Sequence, residues 1–257
     1  GISLERLGLS SPAGEPRVLI NKYTLSEKEI QGGSSFTLTL FIENTFHRPV
    51  QNVRVSFEPI KLEESDGTTR TGGTVFSPVE GSNSFYLERI PAKTTVQRSE
   101  NYYVDPNAAA RTYIMPVTID YEDEEARGYK VEETINVPVT QESRFQILSV
   151  ETPPTAFVGE PLFISAEFVN VGKVALGNMI VMMEGDFPKE QASYFVGNLE
   201  IGQSDFYQGI IYPQQEGLLE GELVFSYIDH HNQEVQVREP FQVQVEGRPM
   251  GKEGPEG

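Results

Sequence analysis

The chain has 257 residues, enough for two domains of ordinary size, and its 38% hydrophobic and 23% charged residues are typical of a folded globular protein. A formal net charge of −18 at pH 7 repels phosphate backbones and anionic headgroups, so we expect no nucleic-acid partner. The chain has no cysteine, which excludes disulfides, thiolate metal sites and thiol nucleophiles.

The two ends of the chain have the composition of linkers. Residues 1–15 and 247–257 are rich in Gly, Pro, Ser and charged residues, and we expect neither segment to carry the fold. No apolar run reaches the length of about 18 residues that spans a bilayer. We therefore expect contact with a membrane only through segments outside this chain.

The first half of the sequence repeats in the second half. The segment 33–44, GSSFTLTLFIEN, aligns without a gap with 159–170, GEPLFISAEFVN, at an offset of 126 residues. Later blocks align in the same order at offsets of 109 and 106. The repeat predicts two related domains, at 16–141 and 142–246.

Alternation of apolar and polar residues predicts strands along nearly the whole repeat. Phe36, Leu38 and Leu40 share one face, as expected for a period of two. About seven such runs occur in each repeat, which predicts two tandem immunoglobulin-like β-sandwich domains of about seven strands each. Two stretches, 26–30 and 105–110, have a helix-like pattern about one turn long, so no helical layer is expected.

A long loop distinguishes the first domain from the second. The fall in offset from 126 to 109 means that the first domain carries 17 extra residues, which lie in the segment 58–83. Loops of this length are usually functional or disordered. Within it, Thr74-Val75-Phe76 is an apolar patch that either packs back on the sandwich or meets a partner. We expect protein contacts at this loop and at the domain junction.

Two polar turns at equivalent places of the repeat offer candidate metal ligands. The turn 122–125 places four carboxylates together, and Asp123 and Glu125 are weak candidates for Ca2+ ligands. The tetrapeptide 229–232, Asp-His-His-Asn, offers Asp229 and two imidazoles to a divalent metal. Adjacent side chains on a hairpin are expected to point in different directions, so a polar hairpin tip is favoured and no cofactor is predicted.

No catalytic set stands out in the sequence. Only three histidines occur, none beside a strand-turn-helix serine motif, and His47 is expected to be a solvated turn residue. We therefore predict that the chain is not an enzyme. Two alternatives stay open, a module that binds cell-wall glycan or Ca2+ and the accessory domains of a larger surface hydrolase. The absence of Trp weakens the glycan-binding alternative, because sugar-binding surfaces use large flat aromatic side chains.

Four strings carry a family resemblance: 33–45 (GSSFTLTLFIENT), 50–55 (VQNVRV), 81–92 (GSNSFYLERIPA) and 156–162 (AFVGEPL). They resemble the CARDB-like group of bacterial exported domains with an immunoglobulin-like fold, and the style is similar to S-layer-like proteins of Gram-positive bacteria. The resemblance covers about residues 16–246. Its motifs are features of the fold and specify no active site.

The resemblance implies an extracellular or cell-surface protein anchored by a segment not present here. Such domains act in adhesion, spacing or protein binding, and in some relatives a C-terminal transmembrane helix follows and a neighbouring transporter is the suspected partner. We therefore expect a non-enzymatic module with an unidentified protein partner at the cell envelope.

Overall fold

A computed structural model of the protein describes residues 14–63 and 69–248. The chain divides into two compact units, unit 1 (Gly1–Thr140) and unit 2 (Gln141–Gly257). The division lies one residue before the boundary expected from the repeat. The linkers predicted at 1–15 and 247–257 lie mostly outside the described residues.

Strands are the regular elements of the described residues, which confirms the predicted all-β class. Among these residues, no helix has the length and apolar character needed to cross a membrane. The strands of unit 1 are β1 (Val18–Leu25), β2 (Ile30–Gln31), β3 (Ser35–Asn44), β4 (Val50–Phe57), β5 (Lys61–Glu63), β6 (Thr69–Thr74), β7 (Phe76–Pro78), β8 (Ser84–Ile90), β9 (Thr94–Val104), β10 (Arg111–Glu122) and β11 (Gly128–Thr140). The strands of unit 2 are β12 (Phe145–Glu151), β13 (Thr155–Phe157), β14 (Leu162–Asn170), β15 (Leu176–Glu184), β16 (Lys189–Glu190), β17 (Ser193–Leu199), β18 (Ser204–Ile211), β19 (Gly217–Ile228) and β20 (Glu234–Glu246).

Each unit is built from a four-stranded and a five-stranded sheet. In unit 1 the strand orders are β1-β3-β9-β7 and β2-β11-β10-β4-β8, and in unit 2 they are β12-β14-β18-β16 and β13-β20-β19-β15-β17. The two units therefore share one strand order, which is similar to the arrangement of immunoglobulin-like sandwiches. The described strands in these sheets exceed the predicted seven per unit, because edge strands of two or three residues, such as β2 and β16, are too short to show alternation.

A tyrosine near the start of β10 is a further feature that unit 1 shares with immunoglobulin-like sandwiches. The hydroxyl of Tyr113 donates a hydrogen bond of 2.8 Å to the carbonyl oxygen of Ala109, four residues upstream. A tyrosine in this place that bonds back to the preceding backbone is the tyrosine corner of immunoglobulin-like sandwiches. Leu219 occupies the equivalent position in unit 2, so the corner is specific to unit 1.

Alternate residues of facing strands fill a separate core in each unit. In β3 the side chains of Leu38, Leu40 and Ile42 are completely buried, while the residues between them are partly exposed. In unit 2, Phe168 and Phe225 come from opposite sheets, and their ring centroids lie 5.4 Å apart. Each unit thus has the filled interior of an independent sandwich.

The predicted long loop at 58–83 is largely a folded part of unit 1. Strands β5 and β6 pair with each other, and β7 joins the four-stranded sheet beside β9. Val75 and Phe76 are buried, and the Phe76 ring packs edge-on against Phe36 and Tyr113. The apolar patch therefore packs back on the sandwich rather than facing a partner, since burying it removes apolar surface from water.

Neither of the two helix-like stretches forms a helix. Residues 26–29 and 105–110 are turns, bends and irregular segments between strands, and Ile30 begins β2. In the second stretch, the Asp105 carboxylate accepts a hydrogen bond of 2.8 Å from the N–H of Asn107. An Asp that bonds the backbone two residues on favours a turn over a helix.

Candidate functional site

Asp123 organises the turn between β10 and β11. Its Oδ1 accepts hydrogen bonds from the N–H groups of Glu125 at 3.0 Å and Arg127 at 2.9 Å. Its Oδ2 accepts a hydrogen bond of 3.0 Å from the Tyr129 hydroxyl and lies 3.0 Å from Arg127 Nε. Protein donors thus engage both oxygens of the first calcium candidate.

These contacts set the charge state of Asp123. Desolvation would raise the pKa of its carboxyl group, but the backbone hydrogen bond from Arg127, the Tyr129 hydroxyl and the Arg127 cation together lower the pKa below the usual value. The other candidate, Glu125, lies 3.6 Å from Arg127 and 3.7 Å from Arg48, measured between charged atoms. Both carboxylates therefore face cations of unit 1. Calcium binding here stays an untested prediction.

The turn between β19 and β20 repeats this backbone in unit 2. Asp229 Oδ1 accepts hydrogen bonds of 2.9 Å from the N–H groups of both His231 and Gln233. The N–H of Asp229 donates to the carbonyl oxygen of Gln233 at 2.9 Å, as that of Asp123 donates to Arg127 at 3.0 Å. The polar hairpin tip expected from the sequence is therefore a defined turn.

The second turn gathers the metal-ligand side chains that the sequence analysis expected to diverge. One potential ligand atom from each of Asp229, His230 and His231 lies within 4.8 Å of the others, and the two imidazole centroids are 3.9 Å apart. Ser143 Oγ lies 3.1 Å from His230 Nδ1. The expectation that adjacent side chains point apart is wrong here, because the turn folds back on itself within five residues. Sequence reasoning missed Ser143, which is 87 residues from His230.

A second candidate site is the outer surface of the five-stranded sheet of unit 2. Met179, Val181 and Met183 of β15 point into the core, so Ile180 and Met182 point to the opposite side of the sheet. Phe195 of the edge strand β17 lies directly opposite Ile180, and Val224 of β19 lies opposite Met182. We call these four residues, Ile180, Met182, Phe195 and Val224, the outer apolar face.

Two of these side chains are largely open to solvent. Phe195 is 65% exposed and Met182 is 42% exposed. Val224 is 3% exposed although it lies outside the core cluster of unit 2. Aromatic residues and Met are enriched in protein–protein interfaces relative to the rest of a protein surface.

Unit 1 carries polar residues at the same sheet positions. The offsets of the repeat place Arg54, Ser56 and Thr118 where unit 2 has Ile180, Met182 and Val224. Tyr86 lies opposite Arg54 on the edge strand β8, as Phe195 lies opposite Ile180 on β17, and its hydroxyl bonds Asn52. Asp120 lies on the other side of Arg54 and adds a charge of opposite sign. The fold therefore does not require apolar residues on this surface.

An ion cluster borders the outer apolar face. Arg238 lies opposite Val224, and its Nη1 donates to the carboxylates of Glu184 at 2.9 Å and Glu222 at 3.1 Å. Glu184, Glu222 and Glu220 also line an open groove of about 710 Å³ together with Phe241. Sequence reasoning missed this site, although the replacement of Arg54 by Ile180 at the repeat offset was a visible signal.

Comparisons with known proteins identify no family. No protein-family model matches the chain. An uncharacterized protein of Methanocaldococcus jannaschii, MJ1561, is 26% identical over 157 residues, which are 60% of this chain and 25% of that protein. The chain thus spans about a quarter of the length of the curated relative that it matches.

Two solved structures are similar to the chain only at low TM-scores. A transglutaminase of red sea bream has a TM-score of 0.32 and 14% identity, over 95% of this chain and 33% of that one. A protein of unknown function from Porphyromonas gingivalis W83 has a TM-score of 0.35 and 13% identity, over 90% of this chain and 98% of that one. Similarity at this level carries no functional inference.

Proposed function

We propose that this chain is a non-enzymatic tandem sandwich module that binds another protein at the cell surface, through the outer apolar face of unit 2. The observation that carries the proposal is the contrast within the repeat. Two units with one strand order have polar residues at these positions in unit 1 and apolar residues in unit 2. Since the fold tolerates both, the apolar set is explained by a contact outside the unit.

The composition of the face supports a protein as the occupant. Burying an exposed Phe or Met side chain contributes about 1.5–3 kcal/mol, so Phe195 and Met182 provide the anchors of an interface. Arg238 with its carboxylate partners supplies a polar border, as in interfaces with an apolar centre and a charged rim. The net charge of −18 favours a partner with a neutral or basic surface.

Location at the cell surface rests on the resemblance to exported CARDB-like domains, and the proposal does not depend on a bacterial source. In the relative from Methanocaldococcus jannaschii the matched segment is about a quarter of the chain, so such a segment occurs there within a larger protein. In this proposal, a segment outside this chain supplies the anchor. The sandwiches place the binding face at a distance from it.

The test compares two exposed aromatic residues at equivalent positions. Wild-type chain, Phe195→Ser and Tyr86→Ser are each immobilised and exposed to a detergent extract of the native cell envelope. We expect one envelope protein to be retained by wild type and Tyr86→Ser, and to be reduced at least about tenfold with Phe195→Ser, because a buried aromatic anchor is lost.

Equal recovery of that protein with all three baits, or no recovery with any of them, contradicts the proposed face. Fractionation of the native cells provides an independent test of location. A protein found only in the cytoplasm would overturn the surface assignment. Melting curves of the two variants show whether either substitution disturbs the fold, and Met182→Ser gives a second probe of the same face.

A further inference from the structure

The turn between β19 and β20 differs from its counterpart in unit 1 at the positions that surround the aspartate. At the repeat offset of 106, His230 and His231 replace two glutamates, Glu124 and Glu125. Both turns keep the same backbone, with a residue of positive φ at equivalent positions, Ala126 at 62° and Asn232 at 59°. The turn is therefore conserved in shape while its side-chain chemistry changes.

The groups that contact the second carboxylate oxygen of the aspartate, Oδ2, also change. In unit 1, Arg127 and Tyr129 contact Asp123 Oδ2. Gln233 and Val235 occupy those two positions in unit 2. Unit 2 thus lacks both the guanidinium and the phenol of unit 1, and it places imidazoles beside the carboxylate instead.

Two imidazoles and one carboxylate are a ligand set for a transition-metal ion. Zn2+ binds His nitrogen and Asp oxygen at about 2.0–2.2 Å, so ligand atoms already within 4.8 Å of one another need only side-chain rotation to meet one ion. Imidazole ligands favour Zn2+, Cu2+ and Ni2+ over Ca2+ and Mg2+, which prefer oxygen. Three protein ligands leave coordination positions for water or a further group.

Ser143 offers a hydrogen-bond partner to the ring nitrogen of His230 that does not bind the metal, as metal-binding histidines usually have. Its Oγ lies 3.1 Å from His230 Nδ1. With Nε2 as the ligand nitrogen, a proton on Nδ1 donates to the serine oxygen. Such a contact fixes the ring orientation. Ser143 is a positioning residue in this arrangement.

We propose that Asp229, His230 and His231 of unit 2 bind a divalent transition-metal ion, with Zn2+ as the probe ion. Asp229 holds the turn through Oδ1 and offers its remaining oxygen to the ion. The site lies at the tip of a hairpin, where the open coordination positions face solvent and accept a ligand from a partner.

The experiment is a calorimetric titration of the full chain with ZnCl2 in a buffer that does not coordinate metal. We expect saturable binding of one ion to wild type, weakened at least about tenfold by His230→Gln or His231→Gln. Ser143→Ala is expected to weaken binding about tenfold, the usual effect of removing such a hydrogen-bond partner. His47→Gln is the matched control, since His47 is the remaining histidine and lies in a turn of unit 1. We expect it to bind as wild type does.

Titration with CoCl2 gives a second readout, because the visible absorption of bound Co2+ reports coordination by nitrogen. We expect the spectrum to be lost in the His230→Gln and His231→Gln variants and kept in His47→Gln. Absence of saturable Zn2+ binding to the wild-type chain would overturn the proposal. So would unchanged binding in a variant that lacks both His230 and His231, or equal losses in His47→Gln.

Discussion

The side-chain amide of Asn44 makes in unit 1 the hydrogen bonds that the amide of Asn170 makes in unit 2. Each Nδ2 donates to the carbonyl oxygen four residues later, at 2.9 and 2.8 Å. Each also reaches across the unit, Asn44 to the carbonyl of Ile90 at 3.2 Å and Asn170 to that of Leu199 at 3.0 Å. Each Oδ1 accepts from the N–H two residues later, at 3.0 and 2.9 Å. Both side chains are completely buried.

Removal of this amide is expected to destabilise the unit that contains it. Asn170→Ala leaves a buried carbonyl, a partly buried carbonyl and a buried N–H group without their partner, and each unsatisfied buried group costs about 1–3 kcal/mol. We expect the free energy of unfolding of unit 2 to fall by at least about 2 kcal/mol. Urea unfolding followed by circular dichroism measures the change. Asn21→Ala, at an exposed Asn of β1, is the control, and an equal effect of both variants contradicts the assignment.

Phe76 is expected to be a core residue although it follows the loop-like part of unit 1. It is 5% exposed and packs against two aromatic rings, so Phe76→Ala should cost about 3–5 kcal/mol of unit 1 stability. Val79 is three residues further on and 52% exposed, so Val79→Ala should change stability by less than about 0.5 kcal/mol. Thermal unfolding of the two variants distinguishes them. Similar melting temperatures would show that the segment does not pack on the sandwich.

Two buried tyrosines are expected to differ in how their stability contribution responds to loss of the hydroxyl group. Burial raises the pKa of both phenols, that of Tyr207 to about 12. The Tyr207 hydroxyl donates to the carbonyl oxygen of Gln191 at 2.7 Å, whereas the buried Tyr102 hydroxyl has no hydrogen-bond partner among the described residues.

Tyr207→Phe should therefore lower the free energy of unfolding by about 1 kcal/mol, since it removes a bond and leaves a carbonyl unsatisfied. Tyr102→Phe should leave stability unchanged or raise it, because a desolvated hydroxyl is removed. Chemical unfolding of both variants measures the difference. A clear loss of stability in Tyr102→Phe would mean that its hydroxyl has a partner in solution.

Acid is expected to weaken unit 1 through Asp123. The folded state lowers the pKa of this carboxyl group below its unfolded value of about 3.9, so the unfolded state binds its proton first as the pH falls. The stabilising contribution is therefore present above about pH 4 and is lost as the pH falls through the folded pKa.

Asp123→Asn should lower the stability of unit 1 at pH 7. It should also flatten the further loss of stability as the pH falls below about 4. Glu124→Gln is the control, since it removes a carboxylate from the same turn and leaves the Asp123 contacts in place. Urea unfolding at several pH values measures both slopes. Parallel curves for wild type and Asp123→Asn would contradict this role.

Much of the fold could be predicted because the period of two and the repeat act along long segments. Alternation in β3 identified Phe36, Leu38 and Leu40 as core residues, and all three are buried. The adjacent tyrosines of β9 split as a strand requires, with Tyr102 buried and Tyr103 41% exposed. These features depend on local backbone geometry, which the sequence carries directly.

The candidate sites depend on contacts that sequence patterns do not carry. Ser143, in the segment before β12, lies beside His230 in the turn after β19, and no local signal in the sequence connects the two residues. The short strand β7 was hidden in the long loop, because three residues are too few to show a period. The outer apolar face needed the register of β15 and β17, which comes from pairing across the sheet.

The parallel pairing at the edge of each five-stranded sheet has a mechanical consequence. Thr155–Phe157 runs parallel to the last strand of unit 2, beside Gln244–Glu246, as Ile30–Gln31 does beside Val139–Thr140 in unit 1. A pull on the two ends of a unit slides such strands along each other, so their hydrogen bonds share the load and break together instead of opening one at a time. We expect each unit to resist extension more strongly than a hairpin whose hydrogen bonds open one at a time from its ends. Ala156→Pro introduces a residue without an N–H into this edge and should lower the unfolding force of unit 2. Single-molecule pulling of wild type and variant measures the difference.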